Sequence, residues 1–163
     1  MKISGKIRII QNIYITKIGD FLTSGGQHTV TYMEDDSLES SQYYLYMFNN
    51  NFGYSKTRKD YDWTVNEGIQ TSITEGTTSY YYQYLVDENE GTYTLVNSFE
   101  VPFSAYVSSA QNLGDHIVVD SGIAGLLSIY DTDGNLEQQF SIKKNDRFIY
   151  RIYYYDYKEY YFS

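Results

Sequence analysis

Apolar and polar residues alternate along most of this chain in short runs, at the two-residue period of a pleated strand, divided by glycine, asparagine and aspartate. From His28 onward, Val30 and Tyr32 share its parity while Thr29, Thr31 and Met33 share the other, which predicts a half-buried strand. Residues 43–48 predict a second, strongly aromatic strand. It stops at Asn49-Asn50-Asn51-Phe52-Gly53, where asparagine side chains can bond local backbone and glycine accepts positive φ. Residues 79–86 and 92–99 predict a hairpin, as do 105–110 with 116–120 and 125–130 with 136–142. The last of these turns on Asp133-Gly134, a strong hairpin signal between alternating runs. The aromatic tail, 147–162, predicts one or two further strands, and no stretch has the period and length of an ordinary helix.

Two stretches break the rhythm. Residues 1–22 mix isoleucines with lysines and read as lead-in strands, and 54–77 form a long irregular loop holding Arg58 and the only tryptophan, Trp63. A connection of that length without regular structure is unusual in a compact domain and is commonly functional or disordered. The expectation is one all-β domain spanning 1–163. Strands recurring roughly every 10 to 12 residues with polar turns fit a propeller as well as a sandwich or open barrel. As a propeller, the chain would hold about two to three antiparallel blades.

Composition narrows the partners. The formal charge is −9, against the basic face that nucleic acid requires. There is no cysteine, so disulfides and thiolate metal sites are excluded. No apolar run opens the chain as a leader peptide or reaches the length of a membrane span, so no membrane insertion is expected. Phosphate-loop and dinucleotide fingerprints are lacking, the two histidines lack zinc-ligand spacing, and Asp131-Thr132-Asp133-Gly134-Asn135 lacks an EF-hand's later glutamate. No cofactor and no metal are therefore expected. Tyrosine occupies 21 positions, too many to be other than largely structural.

Four places carry candidate chemistry. His28 follows Gly25-Gly26 at a strand mouth and reads either as a rim residue or as a neutral imidazole acting as nucleophile or base. Its strand neighbours point to opposite faces, so any partner must come from another strand. His116, after the Gly114-Asp115 turn, reads as the start of a structural strand. Arg58, beside Lys56, offers a planar donor fork for a tetrahedral oxyanion, or is one of the charges of a solvated loop. Ser108 and Ser109 lack a nucleophile elbow and read as pocket donors or satisfied strand residues.

Four motifs then fall in order: Gly26-Gln27-His28-Thr29-Val30; Phe48-Asn49-Asn50-Asn51-Phe52-Gly53; Tyr106-Val107-Ser108-Ser109; and Asp120-Ser121-Gly122-Ile123-Ala124-Gly125 leading to Tyr130-Asp131-Thr132-Asp133-Gly134. From Thr23 onward the chain resembles the C-terminal part of the bacterial arylsulfate sulfotransferases, six-bladed β-propellers that move a sulfuryl group from a phenolic sulfate ester to a phenol. The resemblance implies a partial β-propeller, a phenolic sulfate donor and a phenol acceptor. It makes His28 the transient carrier and places Asn50 and Ser108 beside the sulfate, with Asn49 and Ser108 departing from the family's aspartate and threonine. A late tyrosine of the family falls on Tyr150, Tyr153 or Tyr154, with Tyr153 taken as the site residue, and Arg58 is added from the irregular loop. The family is typically extracytoplasmic. Its remaining sulfate-binding groups come from earlier blades, so the chain is expected to be a fragment, incomplete as an enzyme by itself. Its open sheet edges predict a homodimer. The rival readings are a non-catalytic β-rich binding or structural module and, with least support, a phosphoesterase or serine hydrolase.

Overall fold

A computed structural model describes residues 15–75, 78–143 and 148–157. Most of the lead-in expected over 1–22, and parts of the irregular loop and of the tail, lie outside these residues. The strands are β1 (Thr16–Ile18), β2 (Gln27–Met33), β3 (Gln42–Asn49), β4 (Ser79–Asp87), β5 (Thr92–Val101), β6 (Ser109–Asn112), β7 (His116–Ser121), β8 (Leu126–Asp131) and β9 (Leu136–Ser141). They make two sheets, ordered β1-β5-β4-β3-β2 and β6-β7-β8-β9. Between strands 3 and 4 the described chain holds only the 3-10 turn Trp63–Val65 and an isolated bridge from Phe52 to Gln70.

Local chemistry explains the hairpins. The Asp131 carboxylate accepts from the Asp133 and Asn135 amides, and Gly134 takes φ 83°, where any Cβ would strike Phe99. Across β3, β4 and β5, Phe48, Tyr81 and Phe99 stand in register on one face. They pack with Tyr46 and Val101 against Ala110, Ile117, Val119 and Tyr130 of the second sheet, so one core holds the two sheets face to face. The opposite face of the first sheet buries Met47, Tyr82 and Tyr84 under Phe21 and Tyr93. Burial pushes the Tyr84 hydroxyl up to about 12.

This architecture overturns the expected partial β-propeller of two to three antiparallel blades. The fold is all-β, but its two sheets are separate and open, and β1 joins the first one parallel to β5. Alternation and turn residues encode which neighbouring strands pair. How finished sheets then assemble depends on which faces bury each other, and nothing in a period-two pattern carries that.

Two other expectations change. Residues 105–108 are not strand: Val107 and Ser108 take φ 58° and 87°, and pairing starts at Ser109. The tail residues 148–157 form no strand, yet they run beside β6, held by bonds from Ser108 N to Tyr150 O, Ile149 N to Gly122 O and Tyr154 N to Gln111 Oε1. Gly122 is obligatory there, because a Cβ would collide with the Ile149 carbonyl.

Candidate functional site

β2 is an edge strand with one extra residue. His28 pairs with Phe48 but Thr31 pairs with Tyr46, so a bulge falls at Thr29-Val30, and Thr29 takes φ 56°. The bulge reverses the parity read from the sequence. His28 now shares its face with Thr31 and Met33, towards the core between the sheets, while Val30 and Tyr32 are exposed. A β-branched residue at positive φ is a costly conformation, of about 1–3 kcal/mol, kept only where its surroundings over-determine it.

The imidazole is half-buried. Its Nδ1 lies 2.6 Å from Asn50 Oδ1 and 3.0 Å from the Gly26 carbonyl. The Asn50 amide group in turn donates from Nδ2 to the carbonyls of Ser104, at 2.6 Å, and Val107, at 3.0 Å. Those two acceptors determine which end of the Asn50 amide faces the ring, since a flipped amide would set oxygen against oxygen. Both groups at Nδ1 are therefore acceptors, Nδ1 carries the proton, and in the neutral ring the lone pair lies on Nε2. The partner does come from another strand, at the end of β3.

Behind Asn50 lies a buried polar cluster joining the two sheets. The Ser79 hydroxyl donates to the Asn50 carbonyl, and the Ser104 amide donates to the Ser79 hydroxyl. Ser108 Oγ donates to Ser104 Oγ at 2.8 Å and accepts from the Gly122 amide at 3.0 Å, and Ser108 is fully buried. The Thr29 hydroxyl donates to the Ser108 carbonyl at 3.2 Å. Among the described residues, the non-glycine residues at positive φ are Thr29, Asn51, Val107 and Ser108. All four sit beside the His28–Asn50 pair or the carbonyls that hold it. Positive φ is thus concentrated at the turns that hold this pair.

Of the residues singled out by sequence, His28 and Asn50 touch, and Ser108 lies one residue away from each contact, its carbonyl accepting from Thr29 and that of Val107 accepting from Asn50. Arg58 is exposed in the irregular loop, its amide bonded to the Ser55 carbonyl. Tyr153 is half-buried in the tail, its ring 6.2 Å from that of Tyr155. Sequence reasoning missed the Gly26 carbonyl, Thr29, Ser79 and Ser104. Gly25-Gly26 was a signal for the first, because Gly26 takes φ 66° and a Cβ there would meet the Phe52 carbonyl at 2.7 Å. The serines carried none.

Other polar features lie elsewhere. A cavity of about 730 Å³ opens at the Met33 end of β2, walled partly by Glu34, Asp35 and Asp133. Asp120 on β7 is buried with neither carboxylate oxygen hydrogen-bonded among the described residues, and burial pushes its carboxyl up to about 7. No group of three or more metal-ligating side chains occurs among the described residues, and no helix there is long and apolar enough to cross a membrane.

The model of one protein family, Arylsulfotransferase (ASST), matches residues 7–159. No curated protein and no solved structure matches the chain. The matched span corrects the resemblance drawn from motifs, which began at Thr23 and assigned the chain to the C-terminal part of such a protein. The match instead takes in almost the whole chain. The motifs that carried the likeness all lie after Gly25, so the isoleucine–lysine mixture before Thr23 added nothing to it.

Proposed function

Because the chain belongs to the arylsulfotransferase family, we propose that it moves a sulfuryl group from a phenolic sulfate ester to a second phenol, with His28 as the transient carrier. The observation that supports this reading is the fixed tautomer: Nδ1–H faces two acceptors, and the Nε2 lone pair is left for an electrophile. In the first half-reaction Nε2 bonds to sulfur as the bond from sulfur to the aryl oxygen breaks, and the phenolate leaves with that electron pair. The ring gains positive charge, which the Asn50 and Gly26 oxygens at Nδ1–H stabilise. In the second half-reaction the acceptor oxygen bonds to sulfur, its proton passes to the first phenolate or to water, and the N–S pair returns to Nε2. One carrier serving two half-reactions gives ping-pong kinetics.

Support for the other candidates is unequal. Asn50 is a positioning residue, since it touches the imidazole rather than the reacting atoms. Ser108 Oγ is engaged with Ser104 and Gly122, so its contribution to the reading is to shape the turn that holds Asn50. Arg58 and Tyr153 enter as substrate contacts through the chemistry of their side chains alone. Self-association belongs to the same proposal: β9 is an edge strand exposed along its whole length, and such edges recruit further copies. A monomer in sedimentation would overturn that part.

The test is transfer from 4-nitrophenyl sulfate to phenol, followed as 4-nitrophenolate release with radiolabelled sulfate trapped on the protein. Turnover and label in the native chain, and loss of both in His28→Ala, are expected. Equal rates in the two proteins, or none in either, would overturn catalysis and favour a non-catalytic β module.

A further inference from the structure

A second cavity, of about 260 Å³, is bordered by Gly25, Gly26 and Gln27, and His28 is not among its lining residues. Its aromatic and aliphatic walls are Phe52, Tyr54, Trp63 and Ile69, and uncharged polar residues, Thr23, Ser24, Gln27 and Asn66, complete the lining. We propose that this cavity is a binding site for the ring of a small monocyclic phenol or its sulfate ester.

The sequence clears the space with glycines. A Cβ on Gly53 would collide with Trp63, and one on Gly25 would come within 2.6 Å of Ile69 Cδ1. Trp63 is presented by the 3-10 turn that Asp62 caps, its carboxylate accepting from the Thr64 amide at 2.9 Å. The Tyr61 ring stands edge-on to the indole at 4.9 Å, and the Phe52 and Tyr54 rings lie stacked at 6.4 Å. Two aromatic walls held in this way offer faces and edges to a third ring.

Size and charge select the ligand. An apolar cavity of about 150 Å³ is large enough to hold benzene, so this one has room for a ring with a substituent. None of its lining side chains is charged. Three other cavities each carry a carboxylate wall: Glu34, Asp35 and Asp133 in one, Asp115 in the next, Glu137 in the last. In a chain of net charge −9, the charge-free aromatic cavity is where an aryl sulfate meets least repulsion. The His28 side chain does not line it, so ring binding here is independent of the transfer step.

Trp63 is the only tryptophan, which makes it the reporter. The experiment titrates the full chain with phenol, phenyl sulfate or cyclohexanol and reads indole emission, excited at the red edge where phenols do not absorb. A saturable change with phenol, and none with cyclohexanol, is expected. Tyr54→Ala, at a side chain 62% exposed and so tolerated by the fold, should weaken phenol binding roughly two- to tenfold, the range of one aromatic pair. Tyr32→Ala, at an exposed side chain outside the lining, should leave binding unchanged. Equal response to cyclohexanol, no saturable response to either phenol or phenyl sulfate, or an unaltered Tyr54→Ala would each overturn the proposal. Binding without transfer in the native chain would refute the sulfuryl reading and leave this site standing; transfer without saturable binding would do the reverse.

Discussion

The two histidines occupy similar sequence settings and different physical ones. Each opens a strand just after a glycine-bearing turn, and each begins an alternating run. His28 meets a buried amide whose own orientation is locked by two carbonyls, on a strand bulged to turn the ring towards the core. His116 stands between carboxylates, with Nε2 at 3.6 Å from Asp115 and Nδ1 at 2.8 Å from Glu137, the latter approach off the hydrogen-bond direction. Its side chain is 45% exposed. A partly exposed contact of this kind contributes little and fixes no tautomer. A histidine becomes a chemical group when buried, oriented neighbours decide its tautomer, and only the first of the two has such neighbours.

The contrast is broken most sharply by removing each ring. His28→Ala should lower sulfuryl transfer at least about a thousandfold, as loss of a nucleophile does, and His116→Ala by less than about twofold; comparable losses would erase the distinction. Next comes Phe48→Ala, behind His28 in the pairing register and fully buried. Chemical denaturation should show about 3–5 kcal/mol of lost stability. Asn50→Ala strips the Ser104 and Val107 carbonyls of their donor, so it should cost about 1–3 kcal/mol. It should also lower kcat more than it raises KM, because the tautomer is no longer fixed; an unchanged kcat would make Asn50 merely structural.

A pH-dependent effect tests a buried group that has no hydrogen-bond partner among the described residues. Asp120, opposite Ser109 on β6 and Leu127 on β8, keeps its proton up to about pH 7, through burial alone. An unfolded aspartate releases its proton near about pH 4, so between those values the native state binds more protons. The stability this carboxyl contributes is complete below about pH 4 and is lost as pH rises through about 7. Asp120→Asn should therefore be the more stable protein at pH 8 and have a flatter profile in thermal unfolding from pH 5 to 8. A native chain that gains stability over that range would contradict the assignment. Last, Glu137→Gln should shift stability by less than about 0.5 kcal/mol, in keeping with an exposed pair.

Much of the sheet was legible. The aromatic run at Tyr80–Tyr84 and the Asp133-Gly134 turn place β4, β8 and β9 within a residue or two, because strand propensity and turn chemistry are local. His28 and the asparagine run were also visible as polar groups where a plain strand has no use for them. The bulge at Thr29 was not, since one extra residue in an edge strand leaves no mark on composition. Nor were Ser79 and Ser104, which are ordinary serines until the sheets close over them.

By itself, then, the sequence determined an all-β chain, the hairpins along it and the residues able to do chemistry. The tertiary structure decided the rest: two open sheets rather than blades, a parallel β1, a reversed parity at His28 and an amide turned to hold its proton. The physical reason is range. Strand period and turns are written within about ten residues, whereas burial, strain and a fixed tautomer arise only where segments far apart in the chain exclude water together.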